Sequence, residues 1–302
     1  RHTAAGHPER PERRDAAAAG VLDASGDAVV VSDVDAATNE ELRLVHDPAY
    51  LELLADADAQ GGGWLDPDTY LVPGSWMVAR LAAGATIQAA RAVAAGEARF
   101  AFAVVRPPGH HAASGRGTGF CLLNNIAVAA AALRADGVAH RIAIVDWDVH
   151  HGDGTQAIFD ADPDVLYAST HQAPFYPGTG AAVDRGTGAG RGTKLNRPLL
   201  AGDGDEAFVA AWREELLPAV EEFRPDAILV SAGYDAHAAD PLAGLDVTEA
   251  GYAAVGHELG AAAARLGLGG VTLTLEGGYD LAALRASVAA SVLGILRGSE
   301  EA

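Results

Sequence analysis

Cysteine, lysine and long apolar runs are what this 302-residue chain has least of. Cys121 is the one cysteine, so neither an internal disulfide nor a paired-cysteine zinc site is available, and a reducing cytoplasm is the expected location. Lys194 is the one lysine; every other basic residue is arginine, and 21 basic residues face 41 acids for a formal charge of −20. Phosphate backbones require a basic face, so no nucleic-acid partner is expected, whereas cationic substrates are favoured. The acid excess fits either a high-salt cytoplasm, whose ions screen self-repulsion, or an ordinary acidic protein. The longest apolar runs, such as Ile126 to Leu133, fall short of the roughly 18 residues that cross a bilayer. With no signal-peptide pattern at the start, no membrane association is expected. Aromatics make up only 6% against an apolar fraction of 49%, which predicts a core of Ala, Val and Leu with helices packed closely on a sheet.

Five short β-branched segments read as buried strands: Phe100 to Val105, Arg141 to Val145, Val165 to Ser169, Ala227 to Ala232, and Val271 to Leu275. Helical patterns lie between several of them, over residues 125–134, 206–223 and 249–266. This alternation predicts an α/β fold with a mostly parallel sheet flanked by helices. No repeat or linker divides the chain, so one domain over residues 1–302 is expected. The start at Arg1, without methionine, predicts that a first strand has been cut away. The glycine-rich stretch Tyr176 to Gly192 is too long for a tight turn and reads as a functional loop at the mouth of a site.

Each strand is followed by a polar cluster: "RPPGHH", "DWDVHHGDG", "THQ", "GYDAH" and "EGGYD". Ligands of open α/β sheets bind beyond the carboxyl ends of the strands, so these clusters should converge on one rim. Asp148 and His150 alternate with Trp147 and Val149 and would face one way on an extended segment. Asp235, after another strand, could complete a set of two carboxylates and one imidazole around a divalent ion, with positions left open for water and substrate. Burying several carboxylates without a cation is costly, which favours a metal here. His110 and His111 follow two prolines that stiffen their loop; Asp146 and Asp153 could orient the two imidazoles. Tyr279 follows Gly277 and Gly278, a flexible pair that could let a phenol close over substrate.

In their order and combination, "GHPERPER", "RPPGHHA", "GFCLLNNIAVAA", "DWDVHHGDGTQ", "SAGYDAH" and "LEGGYDL" resemble the zinc-dependent histone deacetylase superfamily. The likeness is to class II-type and bacterial or archaeal members, with acetylpolyamine amidohydrolases and acetoin-utilisation proteins as relatives. It implies the arginase/deacetylase fold. It also implies metal ligands at Asp148, His150 and Asp235, binding Zn²⁺, with Fe²⁺ or Co²⁺ as alternatives for such a donor set. By the same resemblance His111 is the general base and later acid, backed by Asp153, with Asp146 behind His110, and Tyr279 is the electrophilic tyrosine. Gly119 and Phe120 would line the acyl-lysine channel, faced by Tyr176 where the family usually has phenylalanine. A structural K⁺ or Na⁺ is implied at Asp146, Asp148, His150, Ser169 and Thr170, and Arg13 at the pocket's inner end. No clear counterpart exists for a rim aspartate; Asp66 and Asp68 are candidates. Leu242 stands where a polyamine-selective branch carries glutamate. The implied reaction is removal of acetyl from acetyl-lysine in proteins or peptides, with an acetylated small amine as the alternative substrate. A silent acyl-lysine module would be expected to lack a ligand, the base or the tyrosine, and none is missing here.

Overall fold

The computed structural model describes residues 2–26 and 33–302. Its centre is a six-stranded sheet of β1 (Phe100–Ala103), β2 (Ile142–Asp146), β3 (Val165–Gln172), β4 (Lys194–Leu199), β5 (Ala227–Ala232) and β6 (Val271–Leu275). The order across the sheet is β1-β6-β5-β2-β3-β4, and every pairing is parallel. Along β2, Ala143 and Val145 enter one core while Ile142 and Ile144 enter the other. That alternation is why the strands read as continuous apolar runs: both faces are covered.

β4 is the strand that its residues do not announce. Lys194, Asn196, Arg197 and Pro198 interrupt the apolar run, and Pro198 lacks a ladder N–H. Such a strand is tolerated because it lies at the sheet's edge. β3 in turn runs on to Gln172, so Thr170, His171 and Gln172, expected just beyond the strand, are buried residues within it.

The helix expected over 125–134 spans Asn125–Ala135, where the Asn124 side chain accepts the Ala127 N–H at 3.0 Å. The helix expected over 249–266 spans Glu249–Arg265. Residues 205–223 are helical but interrupted by a π-helical turn at Ala211–Leu216, in which the Trp212 indole N–H donates to Thr170 Oγ1 at 3.1 Å. Leu281–Glu301 is long and apolar enough to cross a membrane, with a mean hydropathy of 1.4 in its best window, although Arg285 and Arg297 keep it from reading as one apolar run. It lies instead against Glu249–Arg265 so closely that a Cβ on Gly256 or Gly260 would come within 2.4 Å and 2.2 Å of the Ser291 and Ile295 carbonyl oxygens.

After β2 the chain moves outward through β3 and β4, then returns to place β5 on the other side of β2. Connections thus leave β2 and β5 in opposite directions, opening a crevice beyond their carboxyl ends. Asp146 is level with Ser169 on β3 and Ser231 on β5, so the polar segments following β2 and β5 start at the same height.

Candidate active site

Asp148 and His150, just past β2, and Asp235, just past β5, each offer one ligand atom, and these atoms all lie within 4.8 Å of one another. His150 Nδ1 stands 3.1 Å from Asp148 Oδ1 and 3.3 Å from Asp235 Oδ2. Backbone amides fix the carboxylates: Gly277 N–H donates to Asp148 Oδ2 at 2.7 Å, His150 N–H to Asp148 Oδ1 at 2.9 Å, and Val149 N–H to Asp235 Oδ1 at 3.0 Å. Glycine is required at two of these approaches. A Cβ on Gly233 would fall 2.1 Å from Asp148 Oδ2, and one on Gly277 2.0 Å from Asp235 Oδ2.

Asp235 Oδ2 is buried and accepts no hydrogen bond, its 3.3 Å approach to His150 being an ion-pair distance without hydrogen-bond alignment. An orphaned carboxylate oxygen beside a second carboxylate and an imidazole is a donor set in want of a cation. The electrostatics agree. Burial alone would depress the His150 pKa, yet Asp148 and Asp235 push it up to about 10. A place that draws a proton so strongly onto an imidazole will draw a divalent ion there instead. The residues present therefore fit a metal.

Beside the triad lie two histidine–carboxylate pairs. His110 Nδ1 is 3.1 Å from Asp146 Oδ2, and His111 Nδ1 is 2.8 Å from Asp153 Oδ1. An ionised carboxylate only accepts, so Nδ1 of each ring carries a proton and Nε2 of His111 is left to receive one. Burial opposes charge on His110, but Asp146, Asp148 and Glu276 together hold its pKa well above 6.5. On His111, burial and the neighbouring His110 outweigh Asp153 and bring the pKa down to about 4. Burial would raise Asp153, but its bond to His111 keeps it below the usual carboxylate range, and Arg116 donates to its Oδ2 at 3.0 Å.

Tyr279 is buried, and its ring meets Phe120 edge-on at 5.9 Å. The Arg13 guanidinium lies 4.7 Å from the ring centroid, itself fully buried and bonded to the carbonyls of Gly278 and Glu276. Desolvation, reinforced by Asp235 and Asp148 and opposed by Arg13, holds the phenol pKa well above 10, so the hydroxyl stays a donor. Gly119 and Phe120 are both left-handed, at φ +56° and +70°. A bulky residue there is strained, and the turn is held by Phe120 N–H donating to Thr69 Oγ1 at 3.0 Å. A Cβ on Gly119 would strike the His111 ring at 2.5 Å. Tyr176 meets His111 edge-on at 5.2 Å, and Phe175 stacks on His150 at 5.5 Å.

Other expected residues are placed less directly. Leu242 is half-buried, and its N–H is held by Asp240 Oδ1 at 3.0 Å. Asp66 accepts the amides of Asp68 and Thr69, while the Asp68 carbonyl lies 3.1 Å from His7 Nε2, so both acids belong to the turn that supports Phe120. Ser169 Oγ lies 3.0 Å from His171 Nδ1, and Thr170 Oγ1 serves Trp212. The glycine-rich stretch reaches the site only at its start: Tyr176 lies there, but from Val183 to Gly192 it lines a separate depression and ties back to Asp160.

Three buried polar groups beside the site escaped the reading of the residues. Glu276, fully buried, accepts the N–H groups of Gly109 and His110 at 2.6 Å and 3.1 Å and the Ser231 hydroxyl at 3.1 Å. Tyr167 donates to Asp146 at 2.9 Å from within β3. Asp240 Oδ2 accepts the N–H of Tyr279 at 2.6 Å. Only Glu276 carried a signal, as an acid immediately after a fully buried strand.

Residues 7–295 match the histone deacetylase domain family. A histone deacetylase-like amidohydrolase from Pseudomonas aeruginosa is 43% identical over 280 residues, covering 92% of this chain and 73% of that protein. A probable deacetylase from Archaeoglobus fulgidus is 42% identical over 282 residues, covering 91% and 77%. The crystal structure of the HDA15 HD domain is similar at a TM-score of 0.90 and 39% identity, covering 98% of this chain and 85% of that one. With a domain match over residues 7–295, relatives above 40% identity and a largely buried triad suited to a cation, the chain belongs to the histone deacetylase family of metal-dependent hydrolases.

Proposed function

We propose that this chain is, over its whole length, a catalytic domain that hydrolyses the acetamide of acetylated primary amines, foremost acetyl-lysine in proteins or peptides. The observation that carries the reading is the juxtaposition of a cation-seeking triad with a neutral imidazole whose free nitrogen is set by Asp153. Asp148, His150 and Asp235 would hold the ion, Zn²⁺ by the family's expectation, and Fe²⁺ or Co²⁺ by donor type. Bound there, a divalent cation supplies Lewis-acid polarisation and acidifies water.

The chain's own residues do the rest. His111 Nε2 takes a proton from the attacking water, and the imidazolium is steadied by Asp153. The Tyr279 hydroxyl, held protonated, donates to the oxyanion that develops on the former carbonyl. His111 then returns its proton to the departing amine, leaving acetate. Gly119, Phe120 and Tyr176 would line the channel for the acyl-lysine stem. The cluster of Asp146, Asp148, His150, Ser169 and Thr170 is the proposed place for K⁺ or Na⁺. The unpaired, buried Cys121 favours a cytoplasmic setting.

The formal charge of −20 favours the second substrate class, acetylated polyamines. Against it, Leu242 offers no carboxylate to a distal ammonium. Kinetics on acetyl-lysine peptides and acetylspermidine test the choice: the peptide should have the higher kcat/KM, and Leu242→Glu should shift the ratio towards acetylspermidine by about tenfold. A wild-type preference for acetylspermidine would reverse the assignment.

A further inference from the structure

Asp240 has no role in the chemistry above, yet its environment is unusual for a carboxylate. It is buried, at 7% exposure, and among the described residues no cation pairs with it. The hydrogen bonds it accepts come from backbone N–H groups of two different segments. Oδ2 takes Tyr279 N–H at 2.6 Å and Asp280 N–H at 3.3 Å; Oδ1 takes Leu242 N–H at 3.0 Å. Burying a carboxyl on neutral dipoles is costly, with burial and the nearby Asp235 pushing its pKa up to about 7, and asparagine would avoid the charge. Asparagine, however, has one accepting oxygen, and its NH₂ would face N–H donors on one side or the other. Two accepting atoms are needed where amides converge from both sides.

The turn being held starts from a glycine pair that is pinned only through its backbone. Gly277 and Gly278 precede Tyr279, with Gly278 at φ +113°. Beyond Tyr279, Asp280 caps the helix Leu281–Glu301 through the N–H groups of Ala282 and Ala283. Asp148 holds the Gly277 N–H and Arg13 the Gly278 carbonyl, so Asp240 clamps the next peptide, between that glycine pair and a fixed helix start, at the residue whose phenol must stay aimed. Pro241, next to Asp240, and Tyr279 line one depression of about 530 Å³, so the two clamped segments form a common wall.

We propose that Asp240 is a positioning residue that fixes the backbone of Tyr279, and through it the phenol, against the segment carrying Leu242. The inference rests on the reading of Tyr279 as the oxyanion donor. A double-mutant cycle on an acetyl-lysine peptide tests it, with metal content measured for every variant. Asp240→Asn should lower kcat by about tenfold to a hundredfold, leave KM within about twofold and leave metal content unchanged. In a Tyr279→Phe background the same substitution should cost less than about threefold, because the group it aims is gone. Asp240→Glu, which keeps both acceptors, should recover part of the loss, and it carries the same cycle if Asp240→Asn does not fold. Equal losses in both backgrounds, or Asp240→Asn at the wild-type rate, overturn the inference alone. Tyr279→Phe at the wild-type rate overturns the reading beneath it as well.

Discussion

The inner pair, His110 with Asp146, and the outer pair, His111 with Asp153, are built from the same residue types, with rings 4.1 Å apart. Their surroundings divide them. His110 faces Asp148 and Glu276 in addition to its partner and keeps its proton; His111 meets that retained charge as repulsion and stays neutral down to about pH 4. Two adjacent histidines thus become a fixed charge and a free base without any difference in covalent chemistry. What separates them is depth among carboxylates, a property of the fold rather than of the residue pair.

Breaking the outer pair should have the larger effect. His111→Ala is expected to lower kcat on an acetyl-lysine peptide by about a thousandfold with metal content intact, because both proton transfers of the proposed mechanism pass through it. His110→Ala should cost less; a loss equal to that of His111→Ala would remove the distinction drawn between the pairs.

A finer test exchanges only the outer carboxylate. Asp153 raises the His111 pKa against burial and His110, so Asp153→Asn should move it lower still and weaken the base. The expected result is a loss of about tenfold in kcat/KM, with an acid limb at lower pH than in wild type. A wild-type acid limb above pH 6.5, or one that rises in the variant, contradicts the assignment.

The smallest effect concerns stability. Burial raises the Glu276 pKa to about 7, with His110 and the amide of Gly109 opposing. A carboxyl whose folded pKa exceeds its unfolded value holds an extra proton when folded, so its contribution is present at low pH and lost as pH rises through 7. In metal-free protein the difference in melting temperature between wild type and Glu276→Gln isolates this group, and the wild type should lose ground relative to the variant between about pH 5 and 7.5. An unchanged difference would show that Glu276 is ionised throughout.

The same contrast explains what could be read from residues alone. Asp148, His150 and Asp235 were legible because each follows an apolar strand, and strand ends converge in a parallel sheet. The two His–Asp pairings were legible as pairs, since the acids and imidazoles crowd two short motifs. Their opposite charge states were not, because these depend on Glu276 and Asp148 arriving from other strands. β4 was missed since an edge strand may carry Lys194 and Pro198 without an apolar signature. The contact of Asp240 with Tyr279, across 39 residues, leaves no local pattern at all.

Metal removal tests the central claim most directly. Acetate release from an acetyl-lysine peptide should be measured for wild type after exhaustive chelation, then during titration with Zn²⁺, alongside Asp235→Ala. The account predicts that activity disappears on chelation and returns linearly to about one equivalent of metal in wild type, while Asp235→Ala neither retains metal nor recovers. Full activity in the chelated protein, or undiminished metal binding by Asp235→Ala, would contradict it.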